Sequence, residues 1–160
     1  MKTEELFLKT AFCCMACDGE IAPKEVSLLK KMAKEDKLFG DIKVAPVVNS
    51  FVEQINSQGY FFLDSFLKEL GETQLSEKEQ LSVVKTALKT IKADDKVEYS
   101  EISFFKQIRE KLPIPDEVIL AAFPDEPEIE DYLLPDIVDK SANIWSVSFS
   151  AINFEELQEK

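Results

Sequence analysis

A stretch of this chain repeats itself. When Asp18 is laid on Asp94, a shift of 76 positions (94 − 18), FLKTAFCCMACDGEIAPKEVSLLKKM falls on VVKTALKTIKADDKVEYSEISFFKQI. Lys9, Thr10 and Ala11 meet Lys85, Thr86 and Ala87. Asp18 meets Asp94, Ile21 meets Val97 and Glu25 meets Glu101. The apolar run Val26, Leu28, Leu29, Met32 meets Ile102, Phe104, Phe105, Ile108. Helical spacing of apolar residues on both sides of the acidic stretch defines the unit as helix, D-x-x-[IV]-x-x-x-E, helix, used twice. A duplicated helical unit restricts the fold to an all-helical packing in which two helix pairs occupy equivalent places.

The rest of the chain fills in around that frame. Pro23 suits the first turn of the second helix. Further helices are expected over about 45–55 and 60–70, the latter stopped by Gly71. The pattern SEKE, Ser76 to Glu79, is a capping box that opens a helix running to about Lys92. A sixth helix is expected over about 99–112, followed by Pro113, and a short seventh in DEVILAAF. The expected fold is all-α, a bundle of about seven helices over residues 1–123.

Residues 124–160 break the pattern. Pro124, Pro127 and Pro135 interrupt them, and ten acids stand against two lysines. Trp145, Val147 and Phe149 alternate with Ser146, Ser148 and Ser150, the period of a strand. The expectation is an acidic extension that forms a short β-hairpin with EIEDYLL or folds back on the helices. A partner-binding arm is the alternative.

Each acidic stretch reads as half of an EF-hand calcium loop. In the first, Asp18, Gly19, Ile21 and Glu25 take positions five, six, eight and twelve, but Cys14 and Ala16 stand at positions one and three. In the second, Thr90 and Lys92 fail in the same places, and Asp95 replaces the glycine. The carboxylates suit a hard cation, calcium or magnesium, with several waters retained. The structural reading needs no ligand: a glutamate at the third helical position reaches back to an unpaired N–H.

Composition removes whole classes of function. The formal net charge is −12 and histidine is absent. Nothing overall offers the basic footprint of a duplex nucleic-acid binder. Ser-His and Cys-His catalysis are excluded. A metal-dependent hydrolase would need a substrate pocket with a base beside the acids. Cys13, Cys14 and Cys17 include a C-x-x-C, but zinc wants four ligands and no second pair exists; burial in the core is the simpler reading. No signal peptide is visible at the N-terminus, so reduced thiols in the cytoplasm are expected.

The paired motifs ACDGEIAPKE and KADDKVEYSE resemble the tellurite-resistance TerB family, whose domain type also occurs in membrane-linked DjlA-type co-chaperones. The resemblance spans about Thr3 to Phe123. It implies a non-catalytic helical domain whose acidic motif positions, here Asp18, Glu25, Asp94 and Glu101, hold a divalent cation. It implies a scaffold or sensor in tellurite- or metal-type stress, working with other stress-response proteins and peripherally with a membrane complex. A metal-free protein-interaction module, acting through helical grooves or the extension, is the alternative.

Overall fold

The computed structural model describes residues 3–17, 21, 23–36, 43–92, 99–126 and 129. Among these it holds seven α-helices and no strand. They are α1 (Thr3–Ala16), α2 (Pro23–Lys31), α3 (Val44–Gln58), α4 (Phe61–Glu72), α5 (Glu77–Ile91), α6 (Tyr99–Glu110) and α7 (Asp116–Ala122). A π-helical stretch, Met32–Asp36, prolongs α2. The bundle expected from the sequence is the one observed.

The repeat survives folding in register. Pro23 opens α2 and Tyr99 opens α6, again 76 positions apart (99 − 23). Thr10 and Thr86 are both buried, and each hydroxyl donates to the carbonyl four residues back, Leu6 O at 2.8 Å and Ser82 O at 2.7 Å. A threonine buried in a helix has few other partners for its hydroxyl, so this bond satisfies it locally.

α1 is the axis of the fold. Every residue from Leu6 to Cys17 is buried. Apart from Lys9 and Thr10 that run is apolar, and a helix apolar on nearly every side must be enclosed on every side. Its longest pairing is with α5, and α3, α4 and α6 complete the enclosure. On one side the core is aromatic: the Phe12 ring lies 5.6 Å from Phe51 and 5.9 Å, edge-on, from Phe62.

The connections follow local chemistry. Gly59 has φ 64°, a left-handed conformation that other residues rarely adopt, and its N–H closes α3 on Ile55 O at 2.7 Å. Gly71 does not stop α4 as its sequence suggested. The helix continues to Glu72 and ends at Thr73, whose backbone turns extended and whose hydroxyl donates to Glu69 O at 2.6 Å. The absent side chain at Gly71 instead leaves room for the stem of Lys111: a Cβ there would stand 3.3 Å from Lys111 Cδ. α6 stops at Glu110, two residues before the expected end, in a tighter turn where Lys111 N donates to Ile108 O. The buried Gln80 ties two loops together. Its amide donates to Leu75 O at 3.1 Å and its oxygen accepts from Ile114 N at 2.9 Å.

The SEKE box forms in full. Glu79 N donates to Ser76 Oγ at 3.1 Å, and Ser76 N donates to Glu79 Oε1 at 2.9 Å. The Ser76 N–H, ahead of smaller contributions from the Ser76 and Thr3 side chains, holds the Glu79 carboxyl below its ordinary value. A depressed carboxyl stabilises the fold above its unfolded pKa, about 4.3, and loses that contribution as pH falls through the lower folded value. Ser76→Ala is expected to cost about 1 kcal/mol in denaturant melts at pH 7. The stability gap between wild type and Glu79→Ala should close on acidification; a gap constant from pH 7 to pH 3 would refute the box as its source.

The start of the extension packs on the bundle. Ile129 is buried in the core, and Lys92, at the end of α5, is ion-paired with Glu126. The proposed hairpin of EIEDYLL with Trp145, Val147 and Phe149 lies outside the described residues apart from Ile129.

Candidate functional site

The two acidic stretches are the connections between α1 and α2 and between α5 and α6. Glu25 and Glu101 each occupy the third position of their helix, so the fold gives both motif glutamates the same place at the head of equivalent helices. A carboxylate there meets the positive end of the helix dipole and the unpaired N–H groups of the first turn. Glu101 is buried, with 4% of its surface exposed, and is engaged by an interaction within the chain. A carboxylate that deeply enclosed needs polar partners, because burying an unpaired charge is prohibitive. The Glu25 side chain, Asp18 and Asp94 lie outside the described residues, as does Val97. Ile21 is half-buried against the core. Among the described residues no three potential ligands cluster as a metal site would require.

The cysteines sit in the core. Cys13, Cys14 and Cys17 are buried and form no disulfide. The Cys17 thiol donates to Cys14 O at 3.2 Å. Burial pushes the Cys13 thiol far up, partly opposed by Lys9, so it carries no thiolate near neutrality.

Two features escaped the sequence reading. One is Lys9, a buried cation in the middle of α1. Its Nζ donates to Glu69 Oε1 at 2.7 Å and lies 4.9 Å from the Phe62 ring centre and 5.9 Å from that of Phe51. A lysine interrupting the apolar run LFLKTAF was the available signal. The second is an open groove of about 590 Å³ between α4 and α6, lined by Asp64, Leu67, Lys68, Gly71, Glu72, Gln107, Glu110 and Lys111. Partial burial raises the Asp64 carboxyl above its ordinary value. The groove joins residues far apart in the chain, so no local pattern announces it.

No helix among the described residues is long and apolar enough to cross a membrane. Comparison with known proteins finds no family model, no curated protein and no solved structure that matches the chain.

Proposed function

We propose that the chain is a non-catalytic, cytoplasmic scaffold or sensor of TerB-like type, acting in metal- or tellurite-type stress. Its working element is the pair of acidic inter-helix connections, with Asp18, Glu25, Asp94 and Glu101 as ligands to a weakly held calcium or magnesium ion. The observation that supports this reading is the register of the two units: α2 and α6 open 76 positions apart (99 − 23), each with a glutamate at its third position. Carboxylates gathered at two such connections would repel one another, and a cation relieves that repulsion. Its partners would be other stress-response proteins, including a membrane complex met peripherally.

Titration of chelator-treated protein with calcium or magnesium tests this. Heat of binding with a dissociation constant of about 10⁻⁴–10⁻³ M is expected, together with a raised melting temperature. Glu101→Ala should remove the ion-induced rise. Absence of both heat and thermal shift would refute the cation site. If Glu101 is instead a helix cap alone, Glu101→Ala should cost about 0.5–2 kcal/mol equally with and without the ion.

A metal-free interaction module is the second reading. It is favoured by Phe61, a large aromatic side chain 66% exposed at the start of α4.

A further inference from the structure

The repeat places a lysine-rich strip of α5, solvent-exposed at Lys85 and Lys89, where α1 is covered by two other helices. Shifting by 76 positions, Leu6, Lys9, Cys13 and Ala16 of α1 correspond to Ser82, Lys85, Lys89 and, just past α5, Lys92. The four residues of α1 are all buried. Around Lys9, α3 and α4 cover the strip, supplying the Phe51 and Phe62 rings and the Glu69 carboxylate. Their counterparts are not enclosed: Lys85 and Lys89 are exposed, and Ser82 and Lys92 half-buried. Lys78, also exposed, extends the line by another turn.

Positions 78, 82, 85, 89 and 92 follow the spacing of a single helix face. That face carries lysines and a serine and no acid, although the chain as a whole has 31 acids against 19 basic residues. Lys78 and Lys85 have no ion-pair partner among the described residues. The far end already has a carboxylate in place, since Glu126 pairs with Lys92. Half-buried Leu81 borders the strip and adds an apolar edge.

We propose that this face of α5 docks an acidic amphipathic helix of a partner protein, in the manner in which α1 takes α4. The molecule supplies the precedent itself: at the equivalent position Lys9 is met by a helix-borne glutamate. Lys78 and Lys85 are two turns apart, roughly 10 Å along the axis, so the incoming helix presents carboxylates seven residues apart. Extended polyanions fit less well. A membrane or a duplex would face the whole molecule and its charge of −12, whereas a single helix senses the local field within a Debye length of roughly 8 Å.

The test uses the 160-residue chain and a fluorescein-labelled, alanine-rich helical peptide with glutamates seven residues apart and leucines beside them. Fluorescence anisotropy should show binding that weakens with added salt. The double variant Lys78→Glu/Lys85→Glu should lose at least about tenfold in affinity, and a peptide with lysines in place of its glutamates should recover it. Reversing Lys68 and Lys111, in the groove between α4 and α6, should change nothing. No binding by the wild-type chain would overturn the proposal. So would binding indifferent to Lys78→Glu/Lys85→Glu, or capture of anionic phosphatidylserine vesicles through these lysines without capture of the peptide.

Discussion

Phe12→Ala is expected to destabilise the protein by about 3–5 kcal/mol. Phe12 is fully buried on the central helix, and its ring is one of three, with Phe51 and Phe62, that join α1, α3 and α4. Removing it takes away the transfer free energy of a whole ring. It also leaves a cavity that α1 cannot collapse into, because that helix is held on its other sides by α5 and α6. Denaturant melts measure the loss through the shift in midpoint. Phe12→Leu should recover much of it, since the smaller void is partly refilled. A loss under about 1 kcal/mol for the alanine variant would mean that α3 and α4 close the gap, contrary to a rigid aromatic joint.

Glu69→Ala is expected to cost about 2–3 kcal/mol by leaving the Lys9 ammonium enclosed without its counter-charge. The figure is set below that for a fully buried pair because Glu69 is 36% exposed and water can reach the vacated side. The two phenylalanine faces retain part of the attraction for the ammonium. Lys9→Met removes both the charge and the need for a partner, so it should be near neutral or stabilising. Adding Lys9→Met to Glu69→Ala should restore most of the lost stability. If Glu69→Ala alone is silent in thermal and denaturant melts, the ion pair has no structural weight and the rings with water suffice.

Much of this architecture could be read from the chain because its signals are local. Ser76 and Glu79 are three residues apart and form the box their spacing announces. Pro23 starts a helix, and the repeat gives α6 its first residue. What could not be read depends on contacts between distant segments. Gly71 looks like a terminator in isolation, yet Lys111, forty residues on (111 − 71), lies against it and the helix runs past. Lys9 and Lys85 share the K-T-A context and are opposite in environment, because among the described residues α3 and α4 cover Lys9 while Lys85 is exposed. For the candidate site, sequence supplied the equivalent placing of Glu25 and Glu101. The deep burial of Glu101 follows from packing, and a motif carries no measure of that.

The central position of α1 has a consequence for how the molecule comes to exist. α1 has no solvent-facing side from Leu6 onward, and its main partner, α5, is made after it, beginning at Glu77. Throughout the synthesis of α2, α3 and α4 the emerging α1 therefore carries the flank that α5 covers in the folded bundle, without that cover. Long-range closure of this kind slows folding and leaves a sticky intermediate exposed. A nascent chain arrested before Glu77 should be aggregation-prone and a client for chaperones. One released after α6 should close at once around α1.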